Sequence, residues 1–378
     1  MLYRKFGKTR ERVSILGFGC MRLPVINGDE KNINEIEAIK QIRYAIDNGV
    51  NYIDTAYPYH GGRSETLVEK ALRDGYREKV YLATKLPSWL IKSREDMDKY
   101  LNEQLKRLNT DYIDFYLVHA LNREYWDNLK SLGVLDFLDK SIKDNKIRYA
   151  GFSFHDEVNL FKEIVDSYEW SFCQIQYNYL DENYQAGYEG LKYADKKELG
   201  IVIMEPLRGG SLVKNIPKYI EIIWNKSKIK RSAAEWAFRF LWDKPNIHVV
   251  LSGMNDIRQI KENIESAKNA YPNSLSKKEL KLINQVKKLY KSKIKINCTG
   301  CKYCMPCPSG VNIPVCFEQF NNAFMFDDMK TFRHTYNVFM DKKEKASNCI
   351  NCGKCEKICP QHIAIRKCLN EVVSCFEK

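Results

Sequence analysis

No stretch of this 378-residue chain is apolar for anything near the roughly 18–20 residues a helix needs to cross a bilayer. Its opening, MLYRKFGKTRER, is charged where an export leader would carry an apolar centre. Neither a membrane span nor a signal segment is therefore expected, and the chain reads as a soluble cytoplasmic protein. Cysteine is almost missing from the first three quarters, which hold only Cys20 and Cys173 of the 13 present. In a reducing compartment that excludes a disulfide framework, so the remaining cysteines, crowded near the end, point to metal. The glycine-rich phosphate turn G-x-G-x-x-G is also lacking: after the first apolar run the chain reads GFGCMRLP. That speaks against a doubly wound dinucleotide-binding sheet. A net charge of +13 comes with no basic-aromatic RNA-binding segment, and nucleic acid is not an expected partner.

What is present is rhythm. Apolar, β-branched runs alternate with amphipathic helical stretches from residue 13 to about 270. The runs are 13–19, 51–56, 80–85, 111–119, 147–154, 172–178, 200–206 and 248–254. Eight strands alternating with helices over this length predict an α/β fold of the (β/α)8, or TIM, barrel type. The segment INEIEAIKQIRYAIDNG predicts a helix with Ile36, Ile39, Ala45 and Ile46 near one face and Gly49 as its stop. In SETLVEKALRDG, Ser64 is the expected N-cap. The barrel is assigned to residues 1–270. Residues 271–297 read as a basic helical linker with eight lysines against one glutamate, more a solvated helix face than a docking site. Residues 298–378 form the cysteine-rich module.

In barrel enzymes the chemistry sits at the C-terminal ends of the strands. Those ends carry Asp54 after NYI, Lys85 closing VYLAT, and His119 closing FYLV, with Tyr59 in the loop beyond the second strand. Each alone reads as a solvated terminus or a packed loop residue; four on three consecutive strands do not. DTAYPYHGGRSE, LATK and FYLVH resemble the signature segments of the aldo-keto reductases over roughly residues 1–270. The resemblance implies that Asp54, Tyr59, Lys85 and His119 are catalytic. Reduction of a carbonyl by a nicotinamide needs a proton donor at the carbonyl oxygen. Tyr59 would be that acid, made more acidic by Lys85, with Asp54 holding the lysine and His119 placing the carbonyl.

The same resemblance places NAD(P)H across the barrel mouth. It implies contacts from Gly19, Cys20 and Met21, from Ser153 and Gln174 to the carboxamide, and from Met204 where the family commonly has an aromatic ring. Leu207, Arg208, Gly209 and Gly210 would bind the pyrophosphate, and Ser252, Gly253, Gln259, Glu262 and Asn263 the adenine side. Phe154, where the family usually has Asn, and Met204 are departures that keep a flavin open. Near Asn255 a cation for a 2′-phosphate is missing, although Arg258 is one turn away. Trp89, Asn122, Tyr125 and Trp126 are candidate pocket walls.

NCTGCKYCMPCP and NCINCGKCEKICP then explain the cysteines. Two runs of this kind are close to the bacterial two-cluster ferredoxin pattern, in which three cysteines of one run join the fourth of the other. One [4Fe–4S] cluster is thereby assigned to Cys298, Cys301, Cys304 and Cys359, and a second to Cys349, Cys352, Cys355 and Cys307. The long, helical separation of the runs resembles a small, mostly α-helical dicluster module. Two structural zinc ions are the alternative. Cys316, Cys368 and Cys375 lack ligand spacing and read as small apolar residues. Together the parts predict an NAD(P)H-linked oxidoreductase acting on a small aldehyde or ketone, with an acidic redox protein as a partner. The alternative is an electron-transfer or redox-sensing iron–sulfur protein on a barrel without carbonyl turnover.

Overall fold

The computed structural model describes every residue except Thr299 and Cys301. The chain divides into two compact units, one made of Met1–Gly209 with Arg231–Ser276, the other of Gly210–Lys230 with Lys277–Lys378.

The first unit begins with an antiparallel hairpin, β1 (Tyr3–Lys5) and β2 (Arg12–Ser14). Eight strands follow: β3 (Leu16–Gly19), β4 (Tyr52–Asp54), β5 (Tyr81–Leu86), β6 (Ile113–Leu121), β7 (Ile147–Phe154), β8 (Phe172–Gln176), β9 (Gly200–Met204) and β10 (Val249–Ser252). They close in the order β10-β3-β4-β5-β6-β7-β8-β9, every neighbouring pair parallel. All eight expected strands appear, and the fold is the TIM barrel. The first differs in detail: VSILGFG is divided, residues 13 and 14 going to the hairpin and 16–19 to the barrel. With three residues a strand, the hairpin is too short to show an alternation in sequence.

The hairpin carries Phe6 into the barrel floor. Its fully buried ring meets Phe115 edge-on at 4.8 Å and lies 5.6 Å from Phe172 and 6.2 Å from Tyr52. Burying such a ring is worth about 1.5–3 kcal/mol. Two glycines make room for it. A Cβ on Gly200 would stand 2.7 Å from the Phe6 ring, and Gly7, at φ +54°, would put one 2.3 Å from the Gly200 nitrogen.

Two local expectations are corrected. The helix Glu35–Asp47 buries Ala38, Gln41, Ile42, Ala45 and Ile46, whereas Ile36 is 84% exposed. At 100° per residue Ile36 falls on the opposite side from Ala38 and Ile42. Ser64 is the first residue of its helix, Ser64–Ala71, rather than the cap, and its hydroxyl faces inward instead.

In the second unit, helices Ile313–Met325, Met329–Phe339 and Ile365–Phe376 surround a core that includes Val311, Phe317, Phe320, Tyr336, Leu369 and Phe376. Cys298, Cys304, Cys307, Cys349, Cys355 and Cys359 pack partly buried against it. Cys316 is fully buried among these apolar residues, as expected of a non-ligand. The lysine-rich helix Lys277–Lys291 buries Glu279, Ile283, Val286 and Tyr290 along one side and packs on Lys218–Trp224. No helix among the described residues is long and apolar enough to span a membrane.

Candidate active site

Asp54 ends β4, Lys85 lies in β5 and His119 in β6, while Tyr59 opens the short turn Tyr59–Gly62 after β4. Parallel registry sets Asp54 beside Ala83 and Lys85 beside Leu117, so neighbouring strand ends bring the groups to one depth. The Lys85 ammonium donates to Asp54 Oδ1 at 2.7 Å and to the Thr55 carbonyl at 2.7 Å. The lysine and aspartate side chains are 0% and 3% exposed. Lys85 also lies 5.1 Å from the centre of the Tyr59 ring. The Tyr59 and His119 rings meet edge-on at 6.3 Å, and Trp89 tilts against His119 at 5.2 Å. The four residues singled out at the strand ends are thus one cluster.

Burial dominates the electrostatics. It pushes the Asp54 carboxyl above its usual range against the pull of Lys85. For Lys85, burial works against the charge, but Asp54 and Tyr59 outweigh it and the pKa stands above the ordinary lysine value. Burial and the nearby Lys85 cation hold His119 well below the usual imidazole value, so it is neutral near pH 7. Tyr59 corrects an expectation. Burial raises its phenol above the ordinary value, and the attraction of Lys85 reduces that rise without reversing it. A desolvated phenolate costs more than one ammonium recovers.

His119 owes its placement to a break in the β6–β7 pairing between Val118 and Leu121, where Ala120 takes a φ of +52°. Its carbonyl accepts from the Ser88 hydroxyl at 2.6 Å. The Ala120 amide donates to Ser153 Oγ at 2.7 Å, which sets that serine at the end of β7.

A buried network behind the cluster escaped the sequence reading. Glu65, wholly buried, accepts from Thr84 Oγ1 at 2.7 Å, Gln104 Nε2 at 2.7 Å and Arg107 Nη1 at 3.2 Å. Gln104 also donates to the Lys85 carbonyl at 3.0 Å and accepts from Tyr116 at 2.8 Å. Ser64 Oγ bonds Thr55 Oγ1 at 2.9 Å and the Cys20 carbonyl at 3.2 Å. The clue was the carboxylate in RSE, at the start of a helix that packs on the barrel. His60, next to Tyr59, accepts from the Leu23 amide at 3.1 Å and bonds the Glu30 carbonyl at 2.6 Å, tying the loop after β3 to the turn that carries Tyr59.

Ser153 and Gln174, expected at a carboxamide, are buried, and Gln174 is incompletely bonded. Gln174 Oε1 has no partner among the described residues, and its amide nitrogen reaches only the Met204 sulfur at 3.6 Å. His119 Nδ1 and Asp54 Oδ2 likewise have no partner there. Buried polar atoms of this kind are rare and each needs a physical reason; an amide beside Ser153 would suit the carboxamide of nicotinamide. Gly19 lies against Ser252, where an added Cβ would stand 3.4 Å from the carbonyl oxygen. Cys20 is buried beside the cluster and Met21 is 53% exposed. Ser252 Oγ accepts from Asn263 at 3.2 Å, Gln259 accepts from the Asn255 amide at 3.1 Å, and Glu262 is exposed. Gly253 lies against the stem of Arg22.

Leu207 is half-buried, and Arg208 pairs with Asp181 at 3.1 Å. The Gly209 amide donates to Glu205 Oε2 at 2.5 Å. Gly210 falls in the second unit. Three residues considered near a ligand are engaged in packing or capping. Phe154 is fully buried against Phe161 at 5.3 Å, so it does not face a ligand. Trp126 is fully buried, and Asn122 caps its helix by accepting from the Tyr125 amide. Of the candidate walls, Trp89 is the one that meets the cluster.

In the second unit Cys298, Cys304 and Cys359 line one small cavity with Ile313, Pro314, Phe317 and Pro360. Cys301 lies outside the described residues. The Gly300 amide donates to Cys298 Sγ at 3.4 Å, and Cys307 Sγ lies 3.3 Å from Ser309 Oγ. Among the described residues no three His, Cys, Asp or Glu side chains converge on a single ion. The fit to an iron–sulfur cluster rests on the shared cavity, the cysteine sulfurs and the apolar wall around them.

A closed parallel barrel with a buried Lys–Asp pair, a tyrosine and a neutral histidine at its mouth is the architecture of an oxidoreductase barrel. Residues 15–288 match the aldo/keto reductase family profile, and this chain belongs to that family. Residues 297–364 match the profile of the 4Fe-4S dicluster domain. An uncharacterized oxidoreductase, YqkF, of Bacillus subtilis (strain 168) is 27% identical over 296 residues, 71% of this chain and 91% of that protein. The L-galactose dehydrogenase of Arabidopsis thaliana is 27% identical over 285 residues, 69% of this chain and 86% of that one. Among solved structures, the holo form of aldo-keto reductase AKR11C1 from Bacillus halodurans is 25% identical with a TM-score of 0.64, covering 75% of this chain and 96% of its own.

Proposed function

We propose that the protein reduces a small aldehyde or ketone with NAD(P)H, Tyr59 supplying the proton, and that its cysteines hold two [4Fe–4S] clusters. The observation that carries the reading is the Lys85 ammonium, shared between Asp54 and the Thr55 carbonyl and 5.1 Å from the centre of the Tyr59 ring. When bound, the nicotinamide supplies the hydride. The raised pKa keeps the proton on Tyr59 at neutral pH, the form a donor needs. As the proton leaves the phenol, the Lys85 ammonium offsets the charge that develops on the oxygen. Asp54 keeps that ammonium protonated in a dry site. Neutral His119 offers the carbonyl oxygen a hydrogen bond without competing as a cation, and Trp89 screens that side from water.

Ser153 and Gln174 would hold the carboxamide, with Gly19, Cys20, Met21 and Met204 around the ring. The Ser252–Asn263 pair with Gly253, Gln259 and Glu262 would line the adenine side. Arg258 is held by Asp256 at 2.6 Å, which argues against a strict demand for a 2′-phosphate and leaves NADH and NADPH both as donors. Cys298, Cys301, Cys304 and Cys359 would hold one cluster and Cys307, Cys349, Cys352 and Cys355 the other. The cavity shared by Cys298, Cys304 and Cys359 supports that exchange of the fourth ligand.

One observation favours the second reading, an electron-transfer or redox-sensing protein without carbonyl turnover. Asp181 and Glu205 engage Arg208 and the Gly209 amide, the groups a pyrophosphate would use. Tyr59→Phe separates the readings. In anaerobically purified protein assayed with NADH and NADPH over a panel of carbonyls, kcat should fall about 10²–10⁴-fold, with visible absorbance unchanged. Undiminished turnover would remove Tyr59 from the chemistry.

A further inference from the structure

The charge of this chain is lopsided. Residues 277–378 hold 19 Lys and Arg against nine Asp and Glu, a net +10 of the whole chain's +13. Part of that is the solvated face of helix Lys277–Lys291. A different part surrounds the second cysteine run. Between Asn348 and Pro360, Cys352 is exposed, and the two isoleucines within the run, Ile350 and Ile358, are 66% and 52% exposed. Lys354 and Lys357 are exposed between them. The one acid in the run, Glu356, is taken up by Arg366, whose Nη2 and Nε lie 2.7 and 3.0 Å from its Oε2. The same guanidinium reaches the Asn351 carbonyl at 3.5 Å and lies against Gly353. The lobe is thus internally braced and its only carboxylate neutralised, while its lysines stay free of acidic partners on the lobe itself. Just upstream, exposed Lys342 is tied to it through its carbonyl, which accepts from Asn348 at 2.7 Å. Cys298 and Cys304, by contrast, are half-buried and line a cavity walled by Ile313 and Phe317.

Exposed isoleucines interspersed with lysines unpaired among the described residues, beside an exposed cysteine, are the composition of a surface for transient recognition of a negatively charged protein. The charges steer the encounter and the isoleucines exclude water. We propose that the lobe Asn348–Pro360 is the docking face for an acidic one-electron carrier protein. The inference rests on the reading that Cys307, Cys349, Cys352 and Cys355 hold a cluster. At each encounter one electron crosses: the carrier is oxidised by one as the cluster is reduced by one, or the reverse, with no bond made and no proton moved. A lobe of this size buries an area at the low end of protein interfaces, so the complex is weak and short-lived.

The test uses the full chain, purified anaerobically, with iron content and visible absorbance recorded first. Binding of an acidic flavodoxin is measured by calorimetry at low and high salt. A basic cytochrome c and a mixed-sequence DNA duplex are the sign controls. Flavodoxin should bind with micromolar affinity at low salt and about tenfold or more weaker near 0.3 M, where screening is short-ranged. Lys354→Glu combined with Lys357→Glu should weaken binding at least about tenfold at low salt. Ile350→Ser with Ile358→Ser should weaken it at both salt levels, through lost apolar burial. Lys277→Glu with Lys278→Glu, on the basic helix, should leave it unchanged, and absorbance should be unaltered in every variant. The proposal is overturned if flavodoxin does not bind, if the helix variant weakens binding as much as the lobe variant, or if cytochrome c or DNA binds as tightly. A colourless, iron-free protein would overturn it by a separate route, through the cluster reading itself.

Discussion

Replacing Asp54 by Asn removes one charge from a buried pair and keeps the shape. In the native protein Lys85 is fully buried and bonds Asp54 at 2.7 Å. Leaving an uncompensated ammonium in such a site costs about 3–5 kcal/mol. Lys85 can escape by losing its proton, and that route sets a ceiling. Deprotonating a lysine with an ordinary pKa near 10.4 costs about 1.36 kcal/mol for each unit below it, hence roughly 4–5 kcal/mol at pH 7 and about 2 kcal/mol at pH 9.

The native and variant proteins therefore respond to pH differently. Native Lys85 has a raised pKa, so its stabilisation is complete below the unfolded value and is lost only as pH rises through the higher folded value. Asp54, also raised, contributes on the acid side of the range assayed. The native protein should gain or lose little from these groups between pH 7 and 9. In the Asp54→Asn variant burial acts unopposed and depresses Lys85, the unfolded chain binds the extra proton, and stability should climb by about 1.4 kcal/mol per pH unit. Urea unfolding followed by tryptophan fluorescence reads this directly, because Trp126, Trp170, Trp236 and Trp242 are all wholly buried in the barrel unit. Adding Lys85→Met to the variant should restore most of the loss, since replacing both partners of a buried pair is close to neutral. Parallel stability curves for native and Asp54→Asn from pH 7 to 9, or a loss under about 1 kcal/mol, would refute the coupled pair.

Gln104→Ala withdraws bonds from the Lys85 carbonyl, Glu65, Thr84 and Tyr116. With the Glu65 carboxylate left short of donors, stability should fall by about 2–4 kcal/mol, and kcat should fall more than KM rises, because the strand carrying Lys85 loses its support. Urea midpoints and steady-state kinetics check both; a variant as stable and active as the parent would make the network incidental. Iron analysis of anaerobically purified protein should give about eight irons per chain and brown absorbance. Stripping the iron with chelator should lower the helical circular dichroism of the second unit, whose core the cysteines pack against. Two zinc ions in place of iron would restore the structural-zinc alternative.

The cluster at the barrel mouth was legible in sequence because a parallel barrel converts strand order into neighbourhood. Asp54, Lys85 and His119 end or approach the end of consecutive strands, and registry alone brings them together. Glu65, Thr84 and Gln104 were not legible. Each is an ordinary polar residue on a different element, and only the packing of two helices on β5 turns them into a dry network. The Phe154 departure looked like a change at the ligand and proved to be core packing against Phe161, since strand residues alternate sides and sequence does not say which side is which.

Sequence alone determined the eight-strand alternation, the order of the four residues clustered at the barrel mouth and the eight candidate cysteine ligands, because each is a property of spacing along the chain. Tertiary structure decided three things that spacing cannot carry. It set the depth at which Tyr59 is buried, so that desolvation outweighs the Lys85 cation; it gave Arg208 an acidic neighbour in Asp181; and it neutralised Glu356 with Arg366 while leaving Lys354 and Lys357 exposed. A charge's effect depends on how much water remains around it and on which partner folding brings near, and neither quantity exists until the chain is packed.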